Sequence, residues 1–153
     1  LSRVAGRAGR LVIGIGNPSR GDDAVGPLAI ERLEALNLPD VELLTDFQLQ
    51  VEYLLDLEGR QEVVFIDASL VGDGPFTFSP VTAMEDQSFT SHALSPGAVL
   101  AAYERHYGRL APSSFVLAIR AYEFELGEGL CPAAAANLEA ALAFLCAPLS
   151  GRI

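Results

Sequence analysis

The sequence predicts an α/β fold in which a mostly parallel, five-stranded sheet carries helices on both faces. Three observations predict it. The apolar runs Leu11–Ile15 and Val63–Ile66 are continuous rather than alternating, as strands covered on both sides require. Segments with apolar residues at helical spacing stand between the strand-like runs. Strand and helix alternate along the chain, the order that builds a parallel sheet with helices packed above and below it.

Each element follows from its residues. Leu11-Val-Ile-Gly-Ile15 ends in glycines and reads as the first strand. From Asp23 to Leu36, Val25, Leu28, Ala29, Leu33 and Leu36 recur on one helical face. Val41–Thr45 reads as a second strand, and Val51, Leu54 and Leu55 mark a short helix. Val63-Val-Phe-Ile66 is the strongest strand, with Asp67 ending it, and Gly72-Asp-Gly-Pro75 is a turn. Phe76, Thr77, Phe78 and Ser79 alternate, which predicts a half-exposed edge strand, expected to run antiparallel. Ser95-Pro96 pairs a capping hydroxyl with proline at the first helical position, and Gly108 can close that helix after Tyr107. Ser114–Ile119 is the last strand, and Pro132 opens a helix with Leu138, Ala141, Leu142 and Leu145 inward.

The chain has 153 residues, half of them hydrophobic and a fifth charged, which suits one domain with a real core and excludes a disordered polar chain. No apolar run approaches the roughly 20 residues of a membrane helix, so no membrane partner and a cytoplasmic location are expected. Residues 1–10 hold Arg3, Arg7 and Arg10 and read as a flexible leader, with a single domain over 11–153. The net charge is −10, with all ten basic residues arginine. So acidic a surface repels phosphate backbones and excludes nucleic acid as the expected partner. Cys131 and Cys146 form no CxxC pair and read as buried free thiols.

The chemistry-bearing residues begin in the first βα turn, Gly14-Ile-Gly-Asn-Pro-Ser-Arg-Gly-Asp-Asp-Ala-Val-Gly26. A dinucleotide fingerprint needs a third glycine where Ser19 stands, and two aspartates at the helix start would repel a pyrophosphate. No nucleotide is expected. Asp22 and Asp23 have two compatible roles, capping the helix or facing the cleft at the strand ends. Asp67, straight after four apolar strand residues, either caps the following turn or faces that same cleft. His92 stands just before the Ser95-Pro96 helix start, either as a surface group or as a ligand; His106 has no assigned role. The predicted topology brings Asp23, Asp67 and His92 to one sheet edge, a plausible but incomplete set of ligands for a borderline divalent metal. HExxH and GxSxG motifs are both absent. Spacing alone leads no further than a metal-contacting α/β domain.

Together these segments resemble a known family. Gly14-x-Gly16-Asn17 with Gly21-Asp22-Asp23-x-x-Gly26, Ile66-Asp67-Ala68 and Ser91-His92 are similar to the maturation endopeptidases of nickel–iron hydrogenases. The resemblance runs from about Leu11 to the last helix and takes in Gln48–Leu55 and Phe124–Leu130. It implies a three-layer α/β/α sandwich around a twisted sheet. It also implies that Asp23, Asp67 and His92 are the catalytic, metal-contacting residues. Some members carry glutamate where this chain has Asp23, one methylene longer in reach.

The implied activity is removal of a C-terminal peptide from a nickel-loaded hydrogenase large-subunit precursor. Nickel then belongs to the substrate, whose cysteine thiolates supply the missing ligands, although another divalent ion can occupy the site in vitro. Glu123, Glu125 and Glu128 form an acidic run read either as a solvated loop or as a docking rim for a basic part of the precursor. The rival readings are a chaperone-like module that recognises the nickel site without cutting, and a nucleotide-dependent enzyme that uses the glycine loop.

Overall fold

The computed structural model describes residues 6–85 and 94–151. Among these residues five strands form one sheet: β1 (Arg10–Ile15), β2 (Val41–Asp46), β3 (Glu62–Ser69), β4 (Phe76–Val81) and β5 (Ser113–Arg120). Their order is β2-β1-β3-β5-β4, and only β4, at the edge, runs antiparallel to its neighbour. Among the described residues, four α-helices accompany the sheet: α1 (Val25–Glu34), the short α2 (Leu54–Leu57), α3 (Pro96–Tyr107) and α4 (Pro132–Gly151).

The pleat of β1 and β3 sends successive side chains to opposite faces and divides the core in two. Val12, Val64 and Ile66 pack with Val25, Leu33, Leu138 and Leu142, so α1 and α4 cover one face. Leu11, Ile13, Val63 and Phe65 pack with Leu57, Val99, Leu100 and Tyr103, so α2 and α3 cover the other. This is the three-layer sandwich the sequence implied. Among the described residues, no helix is long and apolar enough to cross a membrane.

The start of α3 follows the sequence reading closely. Ser95 accepts a hydrogen bond from the Ala98 N–H, proline takes the first position, and Gly108 closes the helix at φ 68°. Leu138, Ala141, Leu142 and Leu145 of α4 are all buried.

Three boundaries differ from the sequence expectation. The ordered fold reaches back past Leu11: Arg7 donates to the Leu55 and Glu58 carbonyls, Gly9 N–H to Asp40, and Arg10 pairs with Glu62. These contacts tie residues 7–10 into the fold. The helix expected from Asp23 begins instead as a 3-10 turn, Gly21–Ala24, and α1 proper starts at Val25. Asp67 does not end β3. Pairing with β1 stops at Ile66, but β5 continues to pair through Ser69, so the strand runs three residues further on one side only.

Candidate functional site

The strand order makes the carboxyl ends of β1 and β3 the place to look. From β1 the chain leaves for β2 on one side, while β3 lies on the other, and ligands of open α/β sheets gather at such switch points. The first βα turn leaves β1 there. It is built on close backbone approaches that only glycine permits. A Cβ on Gly14 would stand 2.4 Å from the Gly26 carbonyl oxygen, and one on Gly26 would stand 2.3 Å from that of Ile15. These two glycines let α1 lie directly against β1. Gly16, at φ 146°, brings its α-carbon so near Asp23 that a Cβ would fall 2.0 Å from the Asp23 carbonyl oxygen.

That packing aims Asp23. Its Oδ2 accepts the Asn17 N–H at 2.7 Å, which folds the side chain back over the turn. Asp67, in the same parity as Val63 and Phe65, faces the α2–α3 side just where β1 no longer covers β3. Its Oδ1 accepts the N–H of Ala68 at 2.8 Å. Each carboxylate thus spends one oxygen on a backbone amide. Among the described residues, neither second oxygen has a hydrogen-bond partner.

The two carboxyls sense one another. Burial pushes the Asp67 carboxyl up to about 6, the Ala68 N–H pulls it back, and the negative charge of Asp23 raises it further. The 3-10 turn that carries Asp23 packs against β3, which carries Asp67, so two of the three residues singled out from sequence lie at the same sheet edge. His92, the third, lies outside the described residues, and among those residues no cluster of three or more metal-ligating side chains forms. The donor set on hand is two half-engaged carboxylates, hard oxygen ligands that suit a divalent cation supplied with further donors of its own.

Neither aspartate caps a helix. No side-chain cap bond forms at the 3-10 turn or at α1. Asp22 instead is fully buried and binds a segment a hundred residues away, accepting from the N–H groups of Tyr122, Glu123 and Cys131 and from the Cys131 thiol. Burial alone would raise its carboxyl, but these hydrogen bonds outweigh it and hold the group below the usual range. Cys131 and Cys146 are free and only partly buried. The Ala134 N–H lowers the Cys131 thiol, but burial and the Asp22 carboxylate outweigh it, so the raised thiol stays protonated as a donor.

Glu123, Glu125 and Glu128 are exposed on this same segment. Around them, loops leaving the carboxyl ends of β2, β3 and β5 expose large apolar side chains: Phe47 (63%), Leu70, Val71 (77%), Tyr122 and Leu126 (73%). Asp46, which ends β2, accepts the Tyr53 hydroxyl at 2.8 Å and was not singled out from sequence, since nothing in its neighbours marks a strand-end carboxylate in a segment so ordinary.

No protein-family model and no curated protein sequence matches the chain. Solved structures do. The hydrogenase maturation protease HycI from Thermococcus kodakarensis KOD1 superposes with a TM-score of 0.73 at 24% identity, over 95% of each chain. The hydrogenase maturating endopeptidase HybD from E. coli gives 0.71 at 28% identity, covering 94% of this chain and 93% of its own. A solution structure of an endopeptidase from Escherichia coli gives 0.69, also at 28% identity and with the same coverage. With nearly the whole length of both partners aligned, the chain shares the fold of these hydrogenase maturation proteases and resembles the two E. coli endopeptidases in sequence as well.

Proposed function

We propose that this chain is a metal-dependent endopeptidase of the cytoplasm that removes the C-terminal peptide of a nickel-loaded hydrogenase large-subunit precursor. The observation that carries the reading is the pairing of Asp23 and Asp67, each with one oxygen uncommitted among the described residues, in a fold shared with hydrogenase maturation endopeptidases. Nickel enters as part of the substrate. Asp23 and Asp67 offer oxygen donors to it, His92 is the proposed third donor, and thiolates of the precursor complete the set.

The chemistry asked of the chain is modest. The substrate's nickel supplies Lewis acidity toward the scissile carbonyl or a water. A carboxylate freed from ligation, Asp23 or Asp67, accepts a proton from the attacking water, and burial, which raises Asp67 to about 6 in the metal-free protein, favours Asp67 in that role. Asp23, fixed by Asn17, orients the centre relative to that base. The apolar rim of Phe47, Leu70, Val71 and Leu126 suits a protein substrate, because large exposed apolar side chains gathered at one end of a domain mark contact surfaces.

The test is incubation with a nickel-loaded and a nickel-free precursor, followed by mass measurement of the large subunit. Loss of a C-terminal peptide from the loaded precursor alone is expected, abolished in Asp23→Ala, Asp67→Ala and His92→Ala. Binding without shortening would replace the protease reading with a chaperone-like recognition module.

A further inference from the structure

The site as described uses Asp23 and Asp67 but leaves Asp22 unexplained. A carboxylate with no exposed surface is costly unless fully bonded, and this one is. Oδ2 accepts the Tyr122 N–H at 2.8 Å and the Glu123 N–H at 2.9 Å, while Oδ1 accepts the Cys131 N–H at 2.9 Å. The Cys131 thiol adds a contact at 3.2 Å. All of these partners lie on the segment between β5 and α4, and none on the 3-10 turn that holds Asp22 or on α1.

Backbone contacts repeat the connection. Asp22 N–H donates to the Glu123 carbonyl at 2.7 Å, Gly21 N–H to that of Glu128 at 3.1 Å, and Gly127 N–H to that of Ser19 at 2.7 Å. Arg20 and Leu126 form an isolated antiparallel bridge. The turn 19–22 and the segment 122–131 thus form one unit, and Asp23 is the next residue out of it. Its backbone is wedged against Gly16, with no room for a Cβ between them, so the turn cannot shift at residue 22 without carrying the Asp23 carboxylate along.

We propose that Asp22 is a positioning residue for this site: by gripping segment 122–131 it fixes the turn that presents Asp23 to Asp67. The proposal rests on the protease reading for its consequence in catalysis but not for its geometry. Two variants loosen the grip by different means. Asp22→Asn keeps the shape but turns part of the acceptor group into a donor facing N–H groups. Gly21→Ala places a Cβ at a position of φ 53°, 2.5 Å from the Glu123 carbonyl oxygen. Cys131→Ala, which removes only the thiol contact, is the control.

Each variant is assayed at a temperature where thermal unfolding shows it folded. Two quantities are read: kcat and KM on the nickel-loaded precursor, and the Asn17 amide in a proton–nitrogen correlation spectrum, which reports its bond to Asp23. Asp22→Asn and Gly21→Ala are expected to lower kcat about tenfold or more with KM little changed, and to move the Asn17 amide upfield. Cys131→Ala should leave both as in the wild type. Folded Asp22→Asn and Gly21→Ala proteins with wild-type kcat and an unmoved Asn17 amide would overturn the proposal and leave Asp22 a stabilising residue only. If the wild type fails to cut, the protease reading fails, and the Asn17 amide alone decides the positioning role.

Discussion

Asp23 stands near enough to Asp67 for its charge to add to burial in bringing the Asp67 carboxyl to about 6. Two like charges at one sheet edge repel unless a proton or a cation lies between them, so the pair is itself a cation-seeking arrangement. Asp23→Asn removes the charge and keeps the shape. The Asp67 midpoint should then fall, but only by part of its elevation, because burial is the larger cause. Titration of the Asp67 carboxyl carbon by NMR measures this. An unmoved midpoint would mean that the two carboxylates are too far apart to serve one ion.

Cleavage should follow the same group. In the metal-free protein below about 6, Asp67 holds a proton that the substrate's nickel must displace before the carboxylate can serve as donor or base. The rate on nickel-loaded precursor should therefore decline as pH falls through that value, with a neutral His92 adding to the slope if it also binds the metal. A kcat/KM on nickel-loaded precursor that stays level from about pH 8 to about pH 5 would remove Asp67 from the mechanism.

Stability moves in the opposite direction. The folded Asp67 carboxyl titrates above its unfolded value, so the folded state binds more protons between about 4 and about 6. Its contribution is most favourable below that window and is lost as pH rises through it, leaving an ionised, desolvated carboxylate at neutral pH. Asp67→Asn still accepts the Ala68 N–H and carries no charge. It should raise stability at neutral pH by on the order of 1–3 kcal/mol while abolishing cleavage, and the gain should vanish below about pH 4. Urea unfolding at two pH values reads the effect; a variant less stable than wild type at neutral pH would show that Asp67 is structural.

The parts of this molecule legible in its sequence are those set by local pattern. Val63–Ile66 had to be covered on both faces, Phe76–Ser79 on one, and Ser95-Pro96 had to start a helix. What stayed hidden depends on partners far along the chain. Asp67 looks like a strand terminator because its own neighbours, Ala68 and Ser69, have little preference for a strand, yet β5 pairs with them. Asp22 and Asp23 look interchangeable as caps. They differ only because segment 122–131 arrives to bind one and leaves the other for the cleft. The approach of Gly14 to Gly26 was visible as two glycines but not as a contact between them.

That contact has a measurable cost if filled. A Cβ at Gly14 would lie 2.4 Å from the Gly26 carbonyl oxygen and 2.5 Å from an Ile30 side-chain carbon, so backbone as well as side chain must move. Gly14→Ala should destabilise the fold by about 2–4 kcal/mol, as overpacking against backbone does, and Gly26→Ala by a similar amount. Gly72→Ala, with nothing within 4 Å of its Cβ, meets only the strain of its φ of 110° and should cost less. Losses at Gly14 and Gly26 no larger than at Gly72 in denaturant unfolding would mean that α1 and β1 can part cheaply and that their close approach is not what these two glycines secure.

The apolar rim yields a separation between binding and chemistry. Phe47 and Leu126 are mostly exposed on loops leaving β2 and β5, so replacing either with serine removes no core contact and should change stability by no more than about 0.5 kcal/mol. If the precursor docks on these side chains, Phe47→Ser and Leu126→Ser should each raise KM several-fold with kcat held, because the interaction is made equally in the ground state and the transition state. Charge reversal at Glu125 and Glu128 on the same loop tests the acidic alternative in the same assay. A higher KM from the serine variants with none from charge reversal assigns docking to apolar contact, and the converse assigns it to charge. Wild-type KM in every one of them would place the docking surface elsewhere on the molecule.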